Sequence, residues 1–165
     1  MPPTEHAKTS SIIREIFLRS TLRKSLIIGL WSLIFSNAAL ALEPNKLQVV
    51  PLTIGIHVIQ AEYASSNEER MRGLMFRKQM GTNEGMMFRF DRNGKVCMWM
   101  KNTLLPLSVA FIDEEGSIIN IEDMQPETLD SHCAEKPARY ALEMNQGWFK
   151  RKNIKSGSKI LGLPK

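Results

Sequence analysis

Past its first 41 residues the chain reads as an all-β domain, a sandwich or barrel of about eight short strands with one short helix. Two observations predict this. Apolar runs of strand length, rich in Val, Ile, Leu and Phe, recur along the chain and are punctuated by Gly, Asn and Asp. A single stretch carries a helix-start pattern, Ser66 with Glu69 three residues on.

The elements follow in order. Leu47 to Pro51 reads as an extended lead-in, then 52–55 and 56–62 as strands. A short helix starts after Ser66 and ends near Gly73 or Met75, and 81–85 is a turn cluster. Met86 to Phe90 and Val96 to Met100 are apolar runs separated by Asp91-Arg92-Asn93-Gly94-Lys95, and Asn-Gly between such runs predicts a hairpin. Leu107 to Ile112 and Ser117 to Ile121 repeat the pattern around Asp113-Glu114-Glu115-Gly116. Met124 to Pro137 is a polar loop that carries His132 and Cys133. Tyr140 to Met144 is a further strand, 147–157 a turn with one helical turn, and 158–161 a closing strand. No internal repeat and no low-complexity tract interrupts the series.

The first 41 residues have a different character. Arg14, Arg19, Arg23 and Lys24 form a basic region, Leu26 to Phe35 an apolar core, and Ala39-Leu40-Ala41 a small-x-small site. This predicts a signal peptide over 1–41, cleaved after Ala41, and a periplasmic or secreted mature domain over 42–165. The apolar core is short against the roughly 20 residues a spanning helix needs, so no stable membrane span is expected after cleavage. An uncleaved anchor running to Leu42 is the alternative. Arg23-Lys24 is not a twin-arginine pair, which favours export of the unfolded chain.

Removing the leader changes the electrostatics. The whole chain has 22 basic and 17 acidic residues, and the leader holds 5 and 2 of them, which leaves a mature net charge of +2. No stripe of basic and aromatic residues remains, so nucleic acid is excluded as an expected partner. Lys150-Arg151-Lys152 with Lys155 reads as a solvated turn. One small domain is all the mature length allows. Cys97 and Cys133 are the only cysteines, and in an oxidising compartment an even pair reads as a disulfide. Neither has a second cysteine three residues away, which weakens a metal reading of the pair.

The densest chemistry lies in Trp99-Met100-Lys101-Asn102-Thr103, followed by Pro106-Leu107 and Phe111-Ile112-Asp113. With Glu62-Tyr63-Ala64, Gly73-Leu74-Met75-x-Arg77, Gly85-Met86-x-Phe88 and Leu142-Glu143, these motifs resemble the bacterial and archaeal family catalogued as domain of unknown function 192. The resemblance runs from about Ile56 to Leu161 and implies a compact jelly-roll-like β domain. It implies no activity. Many members place an aspartate directly after the Pro-Leu pair, where this chain has Ser108, so a role that needs that carboxylate is not expected here.

Strand alternation would put Cys97, Trp99, Lys101 and Thr103 on one face and Met98, Met100 and Asn102 on the other. Trp99 offers a surface for sugar rings or cations, and Lys101 a partner for carboxylate or phosphate. The candidate ligand face is therefore Trp99, Lys101 and Thr103, with Arg77, Asp113 and Glu143 nearby. The plainer alternative is a half-buried Trp99 with Lys101 paired to Asp113 or Glu143. Nine methionines remain after cleavage, soft donors that suit copper(I) with His57 and His132. Met71 and Met75, at helical spacing beside Leu74, read instead as core. Catalytic signatures are weak: no Gly-x-Ser-x-Gly, His-Glu-x-x-His or Cys-x-x-Cys occurs, and Glu62, Asp113 and Glu143 are the carboxylates that a hydrolase or lyase would use. His132 is the loop histidine that could serve as a base. The sequence thus predicts a non-catalytic binding or accessory protein of the cell envelope, with a small molecule, saccharide or envelope protein as partner. No metal and no cofactor are expected. The alternatives are a small saccharide hydrolase or lyase and a periplasmic copper-binding protein.

Overall fold

The computed structural model describes residues 46–165, so the leader expected over 1–41 lies outside the described residues. Nine strands and two short helices follow in order: β1 (Val49–Ile54), β2 (His57–Ala64), α1 (Asn67–Arg72), β3 (Glu84–Gly94), β4 (Cys97–Met98), β5 (Leu107–Ile112), β6 (Ile118–Met124), β7 (His132–Cys133), β8 (Ala138–Asn145), α2 (Trp148–Arg151) and β9 (Ile160–Leu161). Seven strands form one sheet in the order β6-β5-β8-β3-β2-β1-β9, and β4 pairs with β7 in a separate ribbon. The long sheet curls until its edges meet. Ile118 N donates to Ser158 O, Gly157 N to Ile118 O and Ile160 N to Gly116 O, each within 2.8–2.9 Å. The expected all-β sandwich or barrel is therefore present as a curled half-barrel.

Two apolar clusters lie on opposite faces of this sheet. The first draws on every strand of the curl, with Leu52, Ile59, Met87, Ile112, Leu142 and Ile160 among its members, and fills the interior. The second gathers Met86, Phe88, Val109, Phe111 and Ala141 from the central strands on the outer face. Leu74 from the loop after α1, and Val96, Met100 and Ala134 from around the β4–β7 ribbon, cover it. Strands β5 and β8 are buried on both faces, which is why β5 reads as a nearly continuous apolar run, while β8 carries the buried Glu143 among its apolar residues. Where β3 and β8 cross, Gly85 is required. A Cβ there would stand 2.5 Å from Glu143 O and from Met144 Sδ.

The structure departs from the sequence reading in four places. Asn93-Gly94 makes no hairpin: β3 runs through to Gly94, which pairs with Ala138 of β8, and β4 pairs with β7. The apolar runs on either side of that turn belong to different layers, the sheet and its cover. The 97–103 segment is not a continuous strand. Only Cys97 and Met98 pair, and the chain then turns at Asn102, whose φ is 55°. Met100 and Thr103 are buried while Trp99 and Lys101 are exposed, so strict alternation fails. β2 and β3 pair in parallel, because α1 and its following loop carry the chain back across the sheet. Finally, Met71 is not core: it is 65% exposed, and α1 buries no residue. The capping box is as expected, with Glu69 N donating to Ser66 Oγ at 3.2 Å and Ser66 N to Glu69 Oε2 at 2.8 Å.

Candidate functional site

Cross-strand register assembles a row of side chains on the covered outer face. Glu62 of β2 lies opposite Met86 of β3, Met86 opposite Glu143 of β8, Glu143 opposite Val109 of β5, and Val109 opposite Glu122 of β6. Directly opposed residues share a face, so three glutamates alternate with two apolar residues. The outer two have side-chain partners. Arg77 grips Glu62 with two bonds of 2.6 and 2.8 Å, and this hydrogen bonding raises the guanidinium further above its ordinary range. His132 Nδ1 lies 2.9 Å from Glu122 Oε2.

The central glutamate has no such partner. Glu143 is 4% exposed, and its carboxyl makes no hydrogen bond or ion pair among the described residues. Burial alone pushes it up to about 8, since removing a carboxylate from water disfavours the charged form. Near neutral pH it is mostly a neutral acid, able to donate one hydrogen bond.

Glu143 lies at the base of a pocket of about 330 Å³. Phe88 and Phe90 from β3 form the floor beside it, and α1 with its following turn, from Met71 through Gly73 to Met75, forms the roof. The wall is Met98, Trp99 and Thr103. Gly73 ends α1 with φ 47°, and a Cβ there would meet the Phe88 ring at 3.4 Å, so the roof approaches the floor closely. Arg70 holds roof to sheet. Its side chain is 13% exposed, and it donates to Ser65 O, to Arg89 O at 2.9 Å and to Asp91 Oδ2 at 3.2 Å. Its guanidinium also lies over the Phe90 ring, 5.8 Å from the centroid. Arg72 is exposed at the rim.

Backbone strain gathers beside the pocket. Among the described residues, three of the four non-glycine residues with positive φ are Phe76, Asn102 and Glu127, at 62°, 55° and 59°. Their loops are joined by Phe76 N to Asn102 O at 2.8 Å and Glu127 N to Thr103 O at 3.1 Å. Strain of this kind persists where the surroundings over-determine it and clusters at functional sites.

Of the residues predicted to form a ligand face, Trp99, Thr103 and Glu143 line this one pocket. Lys101 stands outside it, its Nζ 5.3 Å from the centroid of the Trp99 ring. Lys101 pairs with neither Asp113 nor Glu143. Arg77 is committed to Glu62. Asp113 belongs to the β5–β6 turn, where its carboxylate accepts from Ser117 N at 2.7 Å. Cys97 and Cys133 are disulfide-bonded and clamp β4 to β7. His57 packs edge-on to Trp148, with ring centroids 6.0 Å apart, and lines no part of the pocket. Among the described residues no group of three or more His, Cys, Asp or Glu could hold a metal ion. Ser108, in place of the aspartate usual among the resembled proteins, accepts from Gly147 N at 2.8 Å and bonds Asp123, tying β5 to β6 and to the start of α2. The roof residues Met71 and Arg72 and the floor residue Phe88 were not legible as site residues. The one available signal was Arg70-Met71-Arg72-Gly73, a helix end with exposed side chains over an apolar sheet.

Chemically the pocket offers one titratable carboxyl, one hydroxyl, aromatic and thioether walls, and a cationic rim. No second acid or base lines it, since Arg70 and Arg72 stay protonated.

Comparison with known proteins accords with this architecture. No curated protein matches the chain. A crystal structure from Sinorhizobium meliloti 1021, described provisionally as a transcription regulator, is similar at 33% identity and TM-score 0.70, over 72% of this chain and 97% of that one. A protein of unknown function from Novosphingobium aromaticivorans DSM 12444 is similar at 34% identity and TM-score 0.69, over 72% of this chain and 88% of that one. The profile of DUF192, described as Uncharacterized ACR, COG1430, matches residues 50–162, and the chain belongs to that family.

Proposed function

We propose that the mature domain is an exported, non-catalytic binding module of the cell envelope that seats a small molecule in the pocket over Glu143. The observation that carries this reading is the Glu143 carboxyl, on a residue 4% exposed and without a hydrogen-bond partner among the described residues, lining a pocket of about 330 Å³. A buried polar group without a partner costs the fold free energy, and a ligand that supplies the partner recovers it. Export is supported by the basic and apolar leader pattern ending at Ala41 and by the Cys97–Cys133 disulfide, a bond of oxidising compartments. A transcription-regulating role like the one in the description of the Sinorhizobium protein is not adopted. The mature net charge is near neutral, and the two helices have six and four residues.

The test is a thermal-shift screen of the oxidised protein against amines, carboxylates, saccharides and copper(I). A true ligand at a hundredfold its dissociation constant adds about 2.7 kcal/mol of stability, a rise of several degrees. Trp99→Ala, at a half-exposed wall position, should fold normally and lose that rise. A wild-type protein that responds to no small molecule would sink the reading and direct the search to protein partners.

A second reading, a saccharide hydrolase or lyase, is favoured by one observation, the raised titration of Glu143, which suits a general acid. It ranks second because glycoside chemistry uses two carboxyl groups. Glu62 is locked by Arg77, and Asp113 serves its turn. Turnover of any envelope saccharide, abolished in Glu143→Gln with affinity retained, would reverse the ranking.

A further inference from the structure

We infer that the pocket takes an organic monocation, a protonated amine on a small apolar body, whose ammonium pairs with Glu143 while the body lies against Phe88 and Trp99. The inference rests on the binding reading above and names the class of ligand.

The row of glutamates supplies the first argument. Glu62 and Glu122 each carry a nitrogen partner from the cover, the Arg77 guanidinium and the His132 imidazole. Glu143 sits between them in register and is more deeply covered than either, and the cover places no partner on it. What stands above it is the pocket. A ligand ammonium would complete the row in the way the protein completes its two neighbours.

The walls supply the second. Aromatic faces attract cations, and two rings of this pocket already draw cations of the protein itself. Arg70 lies over Phe90 at 5.8 Å and Lys101 over Trp99 at 5.3 Å. Phe88, the remaining ring, lines the floor beside Glu143 with neither.

The charged groups around Glu143 fit the same ligand. From the sheet it meets Met86 and Val109, both apolar. β4 and the following turn contribute to the same pocket the bonded Cys97, Met98, Trp99 and Thr103, whose hydroxyl donates to Lys101 O. From the roof come Arg70, occupied by Asp91 and two carbonyls, and Arg72 at the solvent rim. The buried end therefore has one open acid, while the rim cation repels a second positive charge. This selects monoamines over polyamines.

Proton balance makes the inference measurable. Near neutral pH the free carboxyl holds its proton, and pairing with an ammonium requires the carboxylate, so binding releases one proton to solvent. Affinity for the amine rises up to tenfold per pH unit until Glu143 ionises in the free protein.

The experiment is titration calorimetry of the oxidised protein with phenethylamine, tryptamine and methylamine, each against its neutral alcohol isostere, near pH 7 in two buffers of different ionisation enthalpy. The expected result is that at least one amine binds tenfold or more tightly than its alcohol and releases about one proton. Glu143→Gln should erase both the preference and the release. That variant removes the titratable acid and keeps the shape. The wild-type proton count stands alone if the variant fails to fold. Alcohols that match or exceed their amines, with no proton released, overturn the cation inference and leave the binding reading intact. Tighter binding of phenylpropionate than of phenethylamine overturns it in the same way. No binding by amines, alcohols or carboxylates defeats both.

Discussion

Three glutamates occupy one row of the sheet, yet each stands in a different setting, and Glu143 is the one without a partner. An ordinary glutamate loses its proton near 4.5, and Glu143 keeps it up to about 8. Between those values the folded protein holds a proton that the unfolded chain has released. Folding therefore becomes less favourable as the pH rises through that window, and this contribution is fully lost above it. The slope at its steepest is about 1.4 kcal/mol per pH unit. Urea denaturation between about pH 5 and about pH 8 should show this decline in the wild type and a flatter profile in Glu143→Gln. Coincident profiles would mean that water reaches the carboxyl freely. The sequence made part of this visible. An acid inside the apolar run 140–144 marks a charge in a buried strand, and Leu142-Glu143 was among the quoted motifs. That no partner meets it was not legible, because the groups that could do so come from α1 and β4, far away along the chain.

At the scale of elements, the roof depends on a helix too short to be stable by itself. Helix α1 has six residues and buries none of them. What fixes it is its two ends. At the start stands the capping box, with the Glu69 carboxyl held below its ordinary range chiefly by backbone hydrogen bonds from Ser66 and Ser65. At the end Gly73 is pressed over Phe88. Ser66→Ala should cost about 1 kcal/mol by denaturant titration. Its larger signature should be faster amide exchange over 67–73 alone, with the sheet amides unchanged. Uniformly faster exchange would show that α1 is not an independent lid. The helix start was legible because a capping box is a local pattern. The Asn93-Gly94 hairpin was misread for the converse reason. Local turn chemistry favoured it, and tertiary pairing of Gly94 with Ala138 and of β4 with β7 overrode it.

The domain over residues 46–165 is a curled sheet with a cover, and the two are stabilised differently. The sheet closes on itself through backbone bonds between the 116–118 and 157–160 segments, and its interior cluster draws on all seven strands. The cover has a two-residue ribbon, β4–β7, joined by Cys97–Cys133 across a separation of 36 residues. By loop-closure entropy that bond contributes about 4 kcal/mol at most. Its effect should fall unevenly. Trp99 and Met98 of the pocket wall follow directly on Cys97, whereas no strand of the curl contains either cysteine. Mild reduction, or replacement of both cysteines by alanine, should therefore leave the β-sheet circular dichroism intact at moderate temperature while exchange accelerates over 96–103 and 131–135. Trp99 fluorescence should shift towards that of a solvated indole, and any ligand response should weaken before the sheet melts. Loss of sheet and cover in one step would instead show that the cover is needed for the curl to form. Separate steps would mean that the redox state of the compartment decides whether the pocket over Glu143 exists.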